Sequence, residues 1–430
     1  MSDVRTILER GVSGATPPPD GFERMLRRRD RKLRNQRIAA GVVGIAIALA
    51  VALTGASLIH SESIPADQNP APTVRNGDLV TVRGLFWRTD TDPELVAVDP
   101  ETGDTRTLVT CDQECYLSNM AWSPNGSELV FSSAGSVQVL DVGTGSTRIL
   151  APVKAEAAAF SPDGERIAYQ ASKKWPHGFF VTRREGAEPM TLDVLNDLSL
   201  QWFGWLPNGR SIVYFEHGSF EFGGGSIGIV EVAPHPTART LVSFPELESS
   251  DACATDIPLS CAHSFAISPT DSRIAYASND ATTGTDTLNV VDPDDGTVSL
   301  VAEWPSTVFG ARPLNPWRPA RLAWSPDGSR IAFAVGCQIW SIAPDTSDRE
   351  LIKDLDPCVG TPDRLTWSPD GTELAFVELD RNVGGILQNL TLSVLSVDGG
   401  SIQRLATLEV DDAVEIGPIA WQSIPIDEQP

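Results

Sequence analysis

The sequence predicts an all-β fold, a β-propeller of four-stranded blades, preceded by a single transmembrane helix. Three observations predict it: a hairpin phrase that recurs along the chain, strands at both ends that complete one blade, and an uncharged stretch near the N-terminus. Hydrophobic residues make up 41% of the chain and charged residues 21%, so a large core is available. Propellers of this length fold as one domain.

The uncharged stretch covers residues 38–59. As a helix it is about 33 Å long, enough to cross a hydrocarbon core of about 30 Å. Residues 1–37 hold ten Arg or Lys against five Asp or Glu, and residues 60–430 hold 23 against 52. Residues 22–37 hold eight Arg or Lys and residues 60–73 hold none, so the positive-inside rule leaves residues 1–37 in the cytoplasm and exports the C-terminal part. We expect a single-pass protein of the cell membrane with an extracytoplasmic domain. A cleaved signal peptide is the alternative, although its apolar region should be shorter.

The recurring phrase is a β-hairpin. Its copies are AWSPNGSELVF (121–131), AFSPDGERIAY (159–169), GWLPNGRSIVY (204–214), AISPTDSRIAY (266–276), AWSPDGSRIAF (323–333) and TWSPDGTELAF (366–376). An apolar pair starts an inner strand, Pro-Asp-Gly makes a tight turn, and an alternating apolar strand returns. A second strand pair around an Asp-Gly turn follows most copies, so each unit is one four-stranded blade. The repeated tryptophans are expected to pack between blades.

The chain ends predict how the propeller closes. Residues 419–425 (IAWQSIP) form a lone inner strand, and three strands at the beginning of the propeller lack an inner partner. Joining them completes a seventh blade and removes an open sheet edge. Six blades is the alternative, because the copies at 204–214 and 266–276 are degenerate. The resulting divisions are a basic cytoplasmic tail (1–37), the transmembrane helix (38–59), a Pro-rich linker (60–76), the propeller (77–425) and a C-terminal tail (426–430).

The Ser-Pro-Asp-Gly repeats resemble those of the TolB-type, WD-repeat-like propeller family across about residues 77–425. Members of that family include periplasmic assembly proteins, peptidase accessory domains and receptor-like modules, so the resemblance implies a fold and leaves the activity open. Residues 20–48 resemble the N-terminal region of actinobacterial membrane proteins associated with extracytoplasmic-function sigma factors. This second resemblance implies a cytoplasmic regulator, such as a sigma factor, as a partner of the tail. Membrane orientation and contact with anionic lipid are the alternatives.

All six cysteines lie on the exported side, which favours disulfide bonds. They are Cys111, Cys115, Cys253, Cys261, Cys337 and Cys358. Proximity in sequence suggests the pairs 111–115, 253–261 and 337–358, one of 15 connectivities that six cysteines allow. A zinc site is the competing interpretation, because Cys-x3-Cys is near zinc spacing, but no neighbouring histidine completes it. We expect neither a metal nor a cofactor.

The longest insertions are predicted on the propeller face opposite the Pro-Asp-Gly turns, together with all six cysteines. Loops that are constrained and rich in aromatic residues suit recognition. The candidate contacts for a ligand or partner are Trp175, His177, Phe220, Phe222, Arg312, Trp317 and Arg318. Packing between loops is the alternative role for each of these side chains.

Catalytic motifs are weak in this sequence. Residues 224–228 (GGSIG) match the spacing of a nucleophile elbow, but a predicted strand follows where that motif requires a helix. We interpret the segment as a Gly-rich hairpin loop. The strong negative charge of the exported part disfavours nucleic acid as a partner. The sequence therefore predicts a membrane-anchored binding or scaffold module for an extracytoplasmic protein, peptide or envelope carbohydrate. The alternative is a propeller hydrolase or lyase acting on cell-wall glycans.

Overall fold

The computed structural model describes fourteen segments of the chain. They are residues 74–83, 94–110, 120–133, 135–171, 178–186, 189–196, 200–219, 223–244, 262–280, 285–305, 322–356, 362–381, 387–409 and 419–426. By its contacts the chain divides into residues 1–69 and 70–430, and every described residue belongs to the second unit. In the described segments no helix has the length and apolar character needed to cross a membrane. The predicted span at 38–59 lies outside them.

Seven four-stranded antiparallel sheets form the blades, as the sequence predicts. Blade 1 contains β4 (Ala121–Trp122), β5 (Glu128–Ser133), β6 (Ser136–Asp141) and β7 (Ser146–Ala151). Blade 2 contains β8 (Ala155–Phe160), β9 (Arg166–Ala171), β10 (Gly178–Arg183) and β11 (Met190–Thr191), followed by a 3-10 turn at Asp193–Leu195. Blade 3 contains β12 (Leu200–Trp205), β13 (Ser211–Ser219), β14 (Gly223–Glu231) and β15 (Ala238–Phe244).

The remaining blades follow the same order from the inner to the outer strand. Blade 4 contains β16 (Ala262–Ile267), β17 (Ile274–Asp280), β18 (Thr285–Val291) and β19 (Val298–Pro305). Blade 5 contains β20 (Leu322–Trp324), β21 (Ile331–Val335), β22 (Gln338–Ala343) and β23 (Asp348–Asp354). Blade 6 contains β24 (Asp363–Trp367), β25 (Glu373–Arg381), β26 (Leu387–Ser396) and β27 (Ile402–Glu409). Blade 7 contains β28 (Ala420–Pro425), β1 (Val74–Arg83), β2 (Glu94–Val98) and β3 (Thr105–Thr110).

The two chain ends close the ring in blade 7, as predicted. Strand β28 pairs antiparallel with β1, with Trp421 opposite Leu79. Strand β1 begins at Val74, within the segment that the sequence assigned to the linker. A bulge between Asn76 and Leu79 separates this early part of the strand from the remainder. Strand β28, from the opposite end of the chain, is therefore the hydrogen-bonding partner of the inner edge of β1.

Both degenerate repeats form full blades. In blade 4 the turn at 268–273 lacks glycine, and Ser272 takes the left-handed conformation instead, with φ of 65°. The turn in blade 3 keeps Gly209, with φ of 63°, at the usual glycine position, which is one residue earlier in the repeat than Ser272. Apolar side chains between neighbouring blades form the core, which explains why two altered turns do not interrupt the ring.

Candidate functional site

The propeller has two faces that differ in construction. Because the four strands of a blade alternate in direction, the connections from first to second and from third to fourth strand share one face, here called the turn face. Connections from second to third strand and from blade to blade share the opposite face, here called the loop face. The turn-face connection at 268–273 is as long as any on that face, whereas loop-face connections include 245–261 and 306–321.

The turn face is built from a repeated hydrogen-bonding unit. In blade 2 the Ser161 hydroxyl donates to Asp163 Oδ1 at 2.5 Å, and the Arg166 amide donates to Ser161 Oγ at 2.9 Å. The hydrogen bond from Ser161 holds the pKa of the Asp163 carboxyl below its ordinary value, against the opposing effect of burial. Asn125 takes the place of the aspartate in blade 1 and accepts from Ser123 at 2.8 Å. This geometry gives the Ser-Pro-Asp-Gly motif a structural role.

Successive turns pack against each other around the turn face. A side chain at Gly371 would contact Pro326 of the preceding turn at 3.7 Å, and one at Gly164 would contact Pro124 at 3.4 Å. Gly328, with φ of 70°, lies directly against Thr270 of the preceding blade. The described part of this face is therefore a closely packed ring of short turns.

The repeated tryptophans join neighbouring blades, as predicted. Each indole N–H donates to a backbone carbonyl on the inner strand of the preceding blade, over 3.0–3.2 Å. The pairs are Trp122 with Ala420, Trp205 with Ala159, Trp324 with Ala266, and Trp367 with Ala323. Trp421 differs, because it donates to Gly77 within its own blade. The N–H groups of these indoles are therefore engaged in hydrogen bonds within the ring of blades.

All seven candidate contacts lie outside the described residues, so their side chains stay a prediction. They are Trp175, His177, Phe220, Phe222, Arg312, Trp317 and Arg318. The strand ends that border them are described, and all belong to the loop face. These ends are Ala171 and Gly178, Ser219 and Gly223, and Pro305 and Leu322.

One predicted cysteine lies within the described residues. Cys337 follows β21 at the loop face and is disulfide-bonded. The Leu355 amide donates to the Cys337 carbonyl at 2.9 Å, which fixes this connection to the end of the outer strand. The other five cysteines lie outside the described residues, and the proposed pairs stay a prediction. No group of potential metal ligands occurs among the residues that the structure describes.

The inner strands contain bulges near the loop face that the sequence did not reveal. In blades 2, 3 and 4 the extra residue is at the same register position, at Glu156, Gln201 and His263. In blade 6 the irregularity lies between Asp363 and Thr366. Bulges occur frequently beside functional sites because they redirect side chains. Four blades therefore have an irregular position at the loop-face end of the inner strand.

Blade 6 also contains local backbone strain at its bulge. Arg364 has φ of 59°, which costs free energy in a residue other than glycine. Its neighbour Asp363 is only 1% exposed, and Asp363 Oδ1 accepts from the Arg364 amide at 2.9 Å. Nothing in the local sequence distinguishes this Asp-Arg pair from an ordinary strand start.

A cluster of five aromatic side chains, here called the aromatic cluster, lies between blades 3 and 4. Its members are Trp202, Phe215, Phe244, Phe265 and Tyr276. Ring centroids are 4.5 Å apart for Phe215 and Phe265 and 5.7 Å apart for Phe244 and Tyr276. Trp202 and Phe244 are only half-buried, so the cluster reaches solvent at both ends.

The described residues give little support to acid–base chemistry. Burial, together with repulsion by Asp370 and Glu101, raises the pKa of Glu373. Glu373 begins a second strand and so lies at the turn face, whereas the loops that would hold a substrate lie opposite. The GGSIG segment is part of strand β14 and not a hairpin loop, which corrects our interpretation. Its Ser226 hydroxyl donates to Glu216 at 3.2 Å, on a strand and without the sharp turn that activates a serine.

The comparisons with known proteins show the fold alone. No protein-family model and no curated protein matches the chain. An oligogalacturonate lyase from Vibrio parahaemolyticus is similar in structure, with a TM-score of 0.51 at 15% identity over 79% of this chain and 88% of that one. A protein from Lactobacillus plantarum has a TM-score of 0.51 at 10% identity over 81% and 99%. TolB from Acinetobacter baumannii has a TM-score of 0.47 at 14% identity over 80% of this chain and 66% of that one. Identities of 10–15% leave the activity of this chain open.

Proposed function

We propose that this protein is a membrane-anchored, extracytoplasmic β-propeller whose loop face binds a protein, a peptide or an envelope carbohydrate without catalysis. Occupancy of the loop face would be passed to a cytoplasmic regulator, such as a sigma factor, through residues 1–37.

The difference between the two faces is the observation that carries this proposal. The turn face consists of short turns whose polar groups bond to each other, as Ser161 and Asp163 do. The long connections, the disulfide at Cys337 and the inner-strand bulges all belong to the loop face. Binding residues are commonly placed on loops that a rigid scaffold positions. A propeller with a closely packed turn face and long connections on its loop face fits a binding module.

Anchoring rests on the sequence. The uncharged stretch at 38–59 has a basic flank on its N-terminal side and no lysine or arginine in residues 60–73 on the other. Cysteine is confined to the part that this orientation exports.

The loop face is tested by capturing partners from native membranes with a cross-linker. Trp175→Ala and Trp317→Ala change the predicted loop face, and Asp294→Ala at an exposed turn-face position is the matched control. We expect both tryptophan variants to fold and to lose partners that the control retains. Retention of every partner by both folded variants would contradict the proposal. Deleting residues 1–37 should release a cytoplasmic regulator while extracytoplasmic partners stay bound.

A further inference from the structure

The outermost strand of each blade pairs with one described strand only, so its second edge is open. An open edge presents backbone N–H and C=O groups with which another chain can pair, and proteins commonly protect it with charged side chains or a short strand. Strand β11 of blade 2 has only two residues, whereas the outer strands of the other six blades have six to eight. Protection by charge can therefore be compared among these six longer strands.

Five of the six longer outer strands contain arginine, and β19 of blade 4 does not. The arginines are Arg106 in β3, Arg148 in β7, Arg239 in β15, Arg349 in β23 and Arg404 in β27. Residues 297–302 (TVSLVA), at the beginning of β19, contain no charged side chain of either sign. The charge that protects the other long edges is therefore missing from this part of β19.

The exposed side chains on this part of β19 are apolar. A bulge at an equivalent place in all six strands aligns them, and the residue just before it is Leu300 in β19, Ile149 in β7 and Arg404 in β27. Leu300 is 57% exposed, and Val298, two residues earlier and on the same side of the strand, is 44% exposed. Ile149 is exposed as well, but Arg148 directly precedes it. Strand β19 thus combines an uncharged edge with two exposed apolar side chains.

The surroundings of β19 are acidic. Residues 274–311 contain six Asp or Glu and no Lys or Arg. Asp294 and Asp295, in the turn before β19, are exposed, and so is Glu303 beyond the bulge. Arg239 of blade 3 donates to a backbone carbonyl of that turn, and carboxylates still outnumber this one cation. A ligand with basic groups at both ends of its contact with β19 is therefore favoured.

The same charges disfavour a second copy of this chain as the ligand. An antiparallel pair of β19 strands centred on Leu300 would bring Glu303 of each copy towards Asp295 of the other. Like charges that face each other across paired strands are destabilising. A different strand with lysine or arginine at its ends would instead meet opposite charge at both ends of β19.

We infer that β19 is a docking site for an extended, basic segment of another protein, which adds to blade 4 as a fifth strand. In this mode of recognition, backbone hydrogen bonds provide affinity and alternate side chains provide specificity. Apolar side chains of the segment contact Val298 and Leu300, and its terminal Lys or Arg side chains face the acidic turn and Glu303. The site is on the outer rim of the propeller, so it goes beyond the binding proposed for the loop face.

Selection from a random octapeptide library displayed on phage tests this inference. Full-length wild-type protein in detergent is the bait, and L300R removes peptides that bind elsewhere. L300R introduces the residue that β27 carries at the equivalent position, so the fold should accept it. I149R makes the equivalent change in blade 1, whose edge already has Arg148, and is the matched control. We expect enriched peptides to have alternating apolar residues with Lys or Arg at their ends.

Affinity measurements and hydrogen exchange locate the bound peptide. L300R should weaken an enriched peptide by at least about tenfold, because it removes an apolar contact and repels the basic ends. I149R should leave the affinity unchanged. Two N-methylated forms of the peptide, one for each set of alternate backbone amides, should differ, because only one set of amides faces β19. Mass spectrometry should find slower amide exchange in residues 298–305 with peptide bound, and unchanged exchange in residues 146–151.

Several outcomes would overturn the inference. They are no enrichment over the L300R protein, equal binding by wild type and L300R, equal effects of the two N-methylated forms, or slower exchange away from β19. Dimerisation of the wild type that L300R abolishes would also do so, because it would identify a second copy as the ligand. Thermal unfolding checks that L300R is folded, and L300T, with the residue that β3 and β15 carry at this position, replaces it otherwise. Partners captured through Trp175 and Trp317 test the loop face separately.

Discussion

At the scale of single residues, the serine and aspartate of each turn do more than favour a bend. The serine hydroxyl donates a hydrogen bond to the aspartate of the same turn. The same aspartate oxygen also accepts a hydrogen bond from a backbone amide of the turn. In blade 5 the Ser325 hydroxyl donates to Asp327 at 2.5 Å, and the Ser329 amide donates to the same oxygen at 3.0 Å. Asn125 shows that the amide form preserves this geometry without a charge.

The charge on Asp163 makes part of the stability depend on pH. Its folded pKa lies below the ordinary value of 3.8, so the carboxylate stabilises the protein above that pH. This contribution is lost as the pH falls through the folded pKa. We expect the difference in free energy of unfolding between wild type and D163N to narrow from pH 6 to pH 3, measured by urea denaturation. A difference that stays constant over this range would show that the charge contributes nothing.

Gly228 is required by the ring of a neighbouring tyrosine. It lies opposite Tyr214, and a side chain at Gly228 would occupy the space of the tyrosine ring and hydroxyl. G228A should therefore lower the free energy of unfolding by about 1–3 kcal/mol, the usual cost of overpacking a core. Thermal unfolding measures this effect.

Gly143 provides the control for this substitution. A side chain there would meet only Asp141, at an ordinary distance of 3.5 Å. G143A should leave the unfolding temperature close to that of the wild type. Equal effects of the two substitutions would contradict a specific role for the tyrosine ring.

At the scale of secondary-structure elements, closure depends on one strand. Strand β28 supplies the inner position of blade 7, and Trp421 on it is 7% exposed. Trp421 packs with Leu79 of blade 7 and with Val377 of blade 6 in one core cluster. Without β28, the inner edge of β1 and this cluster would be open to solvent.

Deleting residues 419–430 should abolish cooperative unfolding and promote aggregation. The physical reason is that an unpaired strand edge beside exposed core residues favours association with other chains. Circular dichroism during heating and light scattering measure the two effects. Deletion of residues 427–430, beyond β28, is the control and should behave as the wild type does. A monomeric 419–430 deletion with an unchanged transition would show that closure needs no β28.

At the scale of the whole molecule, the proposal joins a cytoplasmic tail to an exported propeller. The physical basis of this orientation is the difference in Lys and Arg beside the span, with eight in residues 22–37 and none in residues 60–73. A single span transmits ligand occupancy only when its position or association changes. The tail and the loop face therefore need to be tested in the same full-length protein.

Fractionation and protease protection test the proposed orientation. The full-length protein should sediment with membranes, and protease added outside spheroplasts should reach the propeller and spare a tag on residue 1. Replacing Ala46 and Ala50 within the stretch 38–59 by arginine should release the chain from the membrane fraction, because each buried charge costs about 2.5–3.5 kcal/mol. Sedimentation of this variant with membranes, or digestion of the N-terminal tag, would contradict the proposal.

The sequence by itself determined the blades, their order and the closure. These features follow from short-range patterns in the sequence. Each pattern can be identified within a few residues: Pro-Asp-Gly turns, alternating apolar strands, and unpaired strands at the two ends of the propeller. The same local rules placed the repeated tryptophans between blades. They also identified the loop face, because strand alternation fixes which connections share a face.

Only the tertiary structure decided the features that depend on contacts between distant strands. The GGSIG segment was interpreted as a Gly-rich hairpin loop, yet Gly228 lies in β14 opposite Tyr214, whose ring occupies the space that a side chain would need. The inner-strand bulges and the position of Tyr276 beside Asn289 likewise arise from cross-strand register. Register depends on how two whole strands and their neighbouring blades pack together, and a single strand's sequence does not specify that arrangement.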